Sequence, residues 1–256
     1  MTKSSGSTAL RSASPGRVSR YYLGIETSGA ATGVALIDAD QIVFESSVSG
    51  MNHNEVLPGL VADALNSARI GPIQLKGISA TIGPGMFTAL RVGLAYAKGL
   101  ALPYSIPVKG VSTLLALAQT AAEATKCRVA AQASEHAALF LALIDAKKQQ
   151  VYCGLYSDKR PLLEPSVVHP EELPDVLRTA CQSCCLTLCG SGASLCAETI
   201  RQAGFEVRLS GVELPLARVV ARLGQKLILE QGGDDLAGLV PLYLRRTDAE
   251  LQREKR

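Results

Sequence analysis

Apolar residues recur with a helical period over positions 87–101. The spacings are three and four, so one helical face is formed by Phe87, Leu90, Leu94, Ala97 and Ala101. The other faces are also mostly apolar, and Arg91 and Lys98 are the charged residues of this stretch. A helix that is apolar on nearly all sides is buried on more than one side, so it needs a second cover besides its own sheet. A partner protein is one candidate for that cover.

A strand, a turn and another helix precede this stretch. Ile78–Ile82 is apolar and β-branched, which predicts a strand, and Gly83-Pro84-Gly85 ends it with a sharp turn. Pro103 and Pro107 stop the apolar helix, and Val108–Val111 is expected to form a parallel strand. The earlier helix gathers its apolar residues on one face, which consists of Leu57, Leu60, Val61, Ala64, Leu65 and Ala68.

Strand and helix patterns continue along the whole chain. The first half adds three expected strands, Tyr21–Ile25, Gly33–Ile37 and Ile42–Ser46, which gives the order β-β-β-α-β-α-β. The second half contains these expected strands and helices: Ser112–Lys126, Leu139–Asp145, Gln150–Ser157, Leu186–Leu188, Ser194–Ala203 and Leu216–Glu230. Leu239–Leu244 is expected to close the sheet or to dock as a terminal segment. An apolar strand that ends in an acid and is followed by a return strand occurs twice, at Glu26 and at Asp145. This weak internal repeat suggests two related subdomains facing a cleft.

Composition narrows the class of protein. The 256 residues, 47% of them apolar and 19% charged, suit one large or two small globular domains. No apolar run approaches the roughly 20 residues that span a bilayer. A net charge of +3 is weak support for a nucleic-acid partner, and seven cysteines without a secretory signal indicate a reducing compartment. Residues 1–20 are rich in Ser and basic residues, which predicts a disordered tail, with an organellar transit peptide as the alternative.

Several segments carry a resemblance to a known family. They are Leu23–Ser28, His53–Pro58, Gly83–Gly93 with its continuation to Ala101, Gly110–Leu114 and Pro241–Arg245. With these segments the chain resembles the TsaB (YeaZ) family of bacterial tRNA-modification proteins. The resemblance is strongest over residues 21–118 and weaker beyond, apart from the terminal motif.

The resemblance implies a fold and a role. The fold is an actin/Hsp70-like ATPase (ASKHA) α/β fold of two ribonuclease-H-like subdomains, with residues 21–112 as the first and 113–256 as the second. The role is that of a non-catalytic, cytoplasmic scaffold in the synthesis of N6-threonylcarbamoyladenosine at position 37 of tRNA. The implied partners are a paralogue of the TsaD type, which it activates and which performs the transfer with a metal and threonylcarbamoyl-adenylate, and a TsaE-type ATPase.

The same resemblance sets expectations for ligands and assembly. The chain has no intrinsic cofactor, and ATP or ADP enters only in the complex. It contacts tRNA only through the complex, it contacts no membrane, and alone it forms a homodimer through its partner surface. That surface is expected on the two helices, at Leu57, Val61, Leu65, Phe87, Arg91, Leu94, Ala95 and Lys98. No catalytic residue and no metal ligand are expected.

Three other functions compete with the scaffold. A TsaD-like transferase would place a His-x-x-x-His metal pair where this chain has Thr113 and Leu117, neither of which binds a metal as imidazole does. An independent ATPase of the actin-like class would use Glu26, through a metal and water. A direct tRNA-binding module would need a basic stripe with interleaved aromatic residues, whereas lysines and arginines are spread along this chain.

Each of the weaker candidate sites also has a structural interpretation. Glu26 is either the acid of a phosphate loop or a strand-end carboxylate that caps a turn. Gly83 and Gly85 either cradle a phosphate before a helix or allow close packing. The cluster from Cys181 to Cys196 contains the redox spacing Cys181-x-x-Cys184, but it lacks a second ligand pair for zinc, and buried cysteines act as small hydrophobes.

Overall fold

The computed structural model describes most of the chain. The described residues are 20–50, 52–129, 138–157, 160–181 and 185–245, with only the backbone given over 126–129. The predictions for the N-terminal tail and for Cys184 therefore lie outside the described residues.

The chain folds as two copies of one arrangement. The first copy consists of β1 Tyr21–Glu26, β2 Ala31–Asp38, β3 Gln41–Ser49, α1 His53–Ala68, β4 Leu75–Gly83, α2 Phe87–Ala101, β5 Val108–Ser112 and α3 Thr113–Val129. The second consists of β6 Leu139–Lys147, β7 Gln150–Ser157, β8 Pro161–Val168, α4 Leu173–Ala180, β9 Cys185–Cys189, α5 Ala193–Gln202, β10 Glu206–Leu209 and α6 Ala217–Gln231. Each copy is thus a β-β-β-α-β-α-β-α unit.

The two five-stranded sheets have the same topology. Their strand orders are β3-β2-β1-β4-β5 and, written in the same direction, β8-β7-β6-β9-β10. In each sheet the first three strands form an antiparallel meander, and the last two strands are parallel to the first. This duplication confirms the predicted actin/Hsp70-like fold of two ribonuclease-H-like subdomains, and it confirms the internal repeat seen at Glu26 and Asp145.

The last helix of each unit packs on the sheet of the other unit. Helices α1 and α2 cover one face of the first sheet and α6 covers the opposite face, while α3 lies on the second sheet. Glycines allow the close approach of α6. A Cβ atom at Gly24 of β1 would lie 2.4 Å from the carbonyl oxygen of Ala217, and one at Gly224 would lie 2.1 Å from Cβ of Ser79 in β4.

Polar contacts reinforce this exchange of helices. The hydroxyl of Ser79 donates to the carbonyl oxygen of Val220 in α6, at 3.0 Å. Arg218 of α6 pairs with Glu45 of β3 at 2.7 Å and with Glu123 of α3 at 3.3 Å. Because these groups are only partly exposed, solvent screens them less than it screens a surface pair. The two subdomains are therefore tied together on the side of the first sheet that faces α6.

Some elements were absent from the sequence prediction. Strand β8 lies at a sheet edge and contains two prolines, which edge strands tolerate, and these prolines obscure its pattern. Strand β10 has four residues and lies at the other edge, and α4 has only eight residues. Leu239–Leu244 contains no strand residues; it docks as a terminal segment, in which the Leu242 amide donates to the carbonyl oxygen of Ile82 at 2.7 Å.

Candidate functional site: the exposed face of α1 and α2

Four residues that the sequence predicted as partner contacts lie in the core of the chain itself. Leu57, Val61 and Leu65 of α1 are 0%, 1% and 9% exposed, and Leu94 of α2 is 3% exposed. They pack in one cluster with Leu23 and other residues of the first sheet. The prediction is therefore corrected for these four residues, because the apolar stripe of each helix faces its own sheet and is not available on the outer surface.

Small side chains lie on the outer side of the two helices, where α1 also exposes Glu55, Asp63 and Asn66. Helices α1 and α2 contact each other on the same face of the sheet, so their outer sides are adjacent. The exposed residues there include Pro58, Gly59 and Ala62 of α1, and Ala95 and Gly99 of α2. A Cβ atom at Gly59 or at Gly99 would meet no atom within 4 Å. Small side chains let a partner helix approach the backbone closely, because the distance between helix axes depends on the side chains at the contact.

The remaining predicted interface residues lie on or beside this outer side. Phe87 is 40% exposed, and Arg91 and Ala95 are exposed, whereas Lys98 is half-buried. Arg91 and Lys98 carry the only charges on α2, and both are positive. The outer face of α2 is therefore apolar or small, with a positive charge near its start. We define the exposed face of α1 and α2 as Pro58, Gly59, Ala62, Phe87, Arg91, Ala95 and Gly99.

Tyr243, from near the other end of the chain, packs against the start of α2. The ring centroid of Tyr243 lies 5.0 Å from that of Phe87, and the Nε atom of Arg91 donates to the Tyr243 hydroxyl at 2.9 Å. The Arg91 guanidinium carbon lies 3.8 Å from the Phe87 ring centroid. The motif Pro241–Arg245 marked this segment as family-like, but nothing in the sequence places it beside a helix 152 residues earlier.

The turn after β1 encloses the carboxyl group of Glu26, the last residue of that strand. Glu26 is 4% exposed, and its Oε1 atom accepts hydrogen bonds from the Ser28 amide, at 2.7 Å, and from the Ser28 hydroxyl. Its Oε2 atom is buried without a hydrogen-bond partner among the described residues. Burial raises the pKa of Glu26 to about 7, and the hydrogen bonds from Ser28 oppose that shift. This geometry matches the turn-capping interpretation of Glu26.

Gly83 and Gly85 pack against the chain itself. A Cβ atom at Gly85 would lie 2.5 Å from the carbonyl oxygen of Ser28, and Gly83, with φ of +119°, lies against the backbone of Leu242. An actin-like fold implies ATP near this turn. The residues present do not fit a phosphate group, because the Glu26 carboxyl is enclosed and the glycine turn is filled by the backbone of Ser28 and Leu242. No chemical step is therefore assigned to a nucleotide here.

The positions of a TsaD-like metal pair belong to the core. Thr113 and Leu117 are both fully buried, and Leu117 packs with Phe140 and Tyr156. Across the part of the chain that the structure describes, no three His, Cys, Asp or Glu residues are grouped to hold a metal. His53 is the first residue of α1, where its Nδ1 atom lies 2.8 Å from the Thr32 hydroxyl and burial lowers its pKa.

The described cysteines form no disulfide, and Cys153, Cys189 and Cys196 are buried. Cys189 and Cys196 are fully buried, and burial raises the pKa of each to about 12. A thiol with such a pKa holds its proton at neutral pH and is a poor nucleophile. In the described ranges there is also no helix with the length and apolar character needed to cross a membrane.

Comparison with known proteins decides the family. The tRNA threonylcarbamoyladenosine biosynthesis protein TsaB of Bacillus subtilis (strain 168) is 32% identical over 237 residues, which cover 89% of this chain and 95% of that protein. The chain belongs to the TsaB family. A TsaB-type fold is also seen in the solved structure of YeaZ from Pseudomonas aeruginosa, which superimposes with a TM-score of 0.70 at 24% identity and covers 88% of this chain and 100% of that one.

The chain is also similar to TsaD, but over only part of its length. The family model for TsaD, tRNA N6-adenosine threonylcarbamoyltransferase, matches residues 46–176. The enzyme of that name from Fervidobacterium nodosum is 31% identical over 109 residues, but these cover only 36% of this chain and 32% of the enzyme. TsaB thus matches along nearly the whole of both chains, whereas TsaD shares one segment. The shared segment shows that the chain is related to TsaD-type enzymes over part of its length.

Proposed function

We propose that the chain is a non-catalytic scaffold in tRNA threonylcarbamoyladenosine synthesis, which binds and activates a TsaD-type threonylcarbamoyl transferase. Membership of the TsaB family supports a role in this pathway, since members are named as tRNA threonylcarbamoyladenosine biosynthesis proteins. The observation that carries the scaffold role is the exposed face of α1 and α2. A helix pair that exposes small side chains such as Gly59, Ala62, Ala95 and Gly99 suits a close contact with helices of another chain.

The chemistry of the described residues supports a non-catalytic role. The strand-end acid Glu26 is enclosed, and the residues at the TsaD metal positions, Thr113 and Leu117, are fully buried. A catalytic acid or metal ligand must reach substrate or metal, which these groups do not do in this conformation. An independent ATPase would show turnover of ATP by the pure protein that Glu26→Ala removes, and we expect turnover at background level for both proteins.

Binding to the paralogue tests the proposal directly. Ala62→Arg and Ala95→Arg each place a long charged side chain on the exposed face, and both positions are exposed, so the fold should tolerate them. Leu195→Arg is the control, since Leu195 is 60% exposed on α5 in the other subdomain. We expect the two alanine variants to lose co-purification with the TsaD-type partner while the control keeps it. Intact one-to-one complexes with both alanine variants would refute the proposed face.

The same face accounts for the other proposed assemblies. Without the paralogue, we propose that two copies pair through α1 and α2, so the homodimer and the heterodimer compete for one surface. The TsaE-type ATPase joins the heterodimer, and tRNA and ATP or ADP are engaged only in that complex. Ala95→Arg should therefore convert a homodimer into a monomer in light scattering.

A further inference from the structure

The chain after α6 wraps around the first sheet. Asp234 lies along the edge strand β5, where its amide donates to the Val108 carbonyl oxygen at 2.8 Å and its carboxylate accepts from the Gly110 amide at 2.9 Å. Leu242 then binds the end of β4, and Arg245 donates from Nη1 to the carbonyl oxygen of Ala146 in β6, at 3.2 Å. We call residues 234–245 the C-terminal strap. It connects the edge of one sheet, the start of α2 and the first strand of the other subdomain.

The strap supports the start of α2 through side chains, in addition to the bond from the Met86 amide to the Ser28 carbonyl oxygen at 2.8 Å. The N-cap residue Met86 makes no side-chain capping bond, and the first turn contains no acid. Helix starts usually obtain such support from a capping side chain or an acid, because the first amides have no partner inside the helix. Here the side chains of the first two turns are held from outside, since Tyr243 stacks on Phe87 and accepts a hydrogen bond from Arg91.

Tyr243 also restricts the orientation of the Arg91 guanidinium group. The guanidinium lies over the Phe87 ring and uses its Nε atom for the Tyr243 hydroxyl. Among the described residues, neither Nη atom of Arg91 has a hydrogen-bond partner, although the side chain is exposed. A guanidinium held in this way presents two parallel N–H donors, the arrangement that binds a carboxylate with two hydrogen bonds.

We propose that Tyr243 is a positioning residue for the exposed face of α1 and α2. It holds Arg91 in an orientation that can bind a carboxylate of the TsaD-type partner. Phe87 and the Tyr243 ring provide an apolar rim beside that ion pair, since they are 40% and 43% exposed. The absence of any acid on α2 favours a negatively charged group on the partner side. This inference rests on the proposed function and adds the strap and an acidic partner residue to it.

Tyr243 is expected to strengthen partner binding by preorganising the Arg91 side chain. An arginine side chain loses rotamer freedom when it binds, and that loss weakens the complex unless the free protein has already restricted the side chain. Stacking on Phe87 and the bond to Tyr243 restrict Arg91 before the partner arrives. Removing Tyr243 should therefore lower affinity without removing any group that itself pairs with the carboxylate.

A double-mutant cycle on the affinity for the TsaD-type partner tests this. We expect Tyr243→Ala and Arg91→Ala each to weaken binding about tenfold, and the double variant to be hardly weaker than Arg91→Ala, because residues that act through one another are not additive. Tyr243→Phe keeps the ring and loses only the hydroxyl, so we expect an intermediate loss. Leu195→Ala, which shortens an exposed apolar side chain on α5, is the matched control and should bind like the wild type.

The salt dependence of the affinity and the thermal unfolding of each variant provide two further checks. The wild-type affinity should fall with rising salt more steeply than that of Arg91→Ala, since the ion pair is screened. Thermal unfolding checks each variant, and if Tyr243→Ala fails to fold, Tyr243→Phe and Arg91→Lys carry the test. Tyr243→Ala within twofold of the wild type would overturn the inference, as would full additivity with Arg91→Ala. If Ala95→Arg abolishes binding at the same time, the scaffold proposal stands and only the strap fails; if Ala95→Arg also binds normally, both fail.

Discussion

Gly93 of α2 lies directly against Thr27, the residue that follows β1. A Cβ atom at position 93 would lie 2.3 Å from the Thr27 hydroxyl oxygen, and that hydroxyl donates to the carbonyl oxygen of Ala89 at 2.9 Å. Helix α2 is therefore seated on the β1 turn with no room for a methyl group. The exposed side of the helix has its orientation because the buried side fits this turn.

Two glycines of the same helix should respond differently to alanine. We expect Gly93→Ala to lower the free energy of unfolding by about 2 kcal/mol, because the added methyl group would displace Thr27. Gly99→Ala is the control, since a Cβ atom there meets nothing within 4 Å. Its expected effect is a gain of up to about 1 kcal/mol from helix propensity. Urea unfolding of both variants measures the difference, and equal stabilities would contradict the close packing of α2.

Adjacent positions of α2 should separate folding from binding. Leu94 is 3% exposed, so Leu94→Asp buries an unpaired carboxylate and should lower the free energy of unfolding by several kcal/mol, roughly 3 or more. Ala95 is exposed, and Ala95→Asp should stay within about 0.5 kcal/mol of the wild type. Thermal melts followed by circular dichroism would show this. A well-folded Leu94→Asp protein would mean that the inward face of α2 is assigned incorrectly.

The buried carboxyl of Glu26 should make stability depend on pH. Its pKa rises from 4.5 to about 7 on folding, so between these values the folded state binds more protons than the unfolded state. Stability contributed by the protonated form is thus lost as pH rises through this window, by about 3 kcal/mol at most, and it levels off above pH 7. Glu26→Gln has no such titration.

The stability of Glu26→Gln relative to the wild type should therefore increase from pH 5 to pH 8. Urea unfolding of both proteins at the two pH values measures this change. Any pH-independent cost of the amide is the same at both pH values and therefore cancels. Parallel pH profiles for the two proteins would contradict the burial of an ionisable Glu26.

Much of the fold is predictable because its periodic segments are long. The pattern predicted β7 at Gln150–Ser157 and α2 between Phe87 and Ala101 with the observed bounds, and α1 and α6 within a few residues. In these segments the apolar period and the glycine or proline boundaries agree. Short edge elements such as β10 carry too few residues for a period to show, and their exposure removes the apolar alternation.

The candidate site was less predictable for two physical reasons. An apolar stripe looks the same in sequence whether its own sheet or a partner covers it. The pattern therefore predicts Leu57 and Leu94 as partner contacts, although they are core residues. The outer face includes small residues such as Gly59 and Ala62, which give no strong signal in the sequence. The pairing of Phe87 with Tyr243 depends on the path of the strap around the sheet, which local sequence does not encode.

The rate of tRNA threonylcarbamoylation by the TsaD-type partner tests the central claim most directly. The partner, threonylcarbamoyl-adenylate, tRNA and the TsaE-type ATPase would be combined without this chain, with wild type, with Glu26→Gln and with Ala95→Arg. The scaffold account predicts that wild type and Glu26→Gln stimulate modification equally and that Ala95→Arg does not stimulate it. Full stimulation by Ala95→Arg, or modification by this chain in the absence of the partner, would contradict the account.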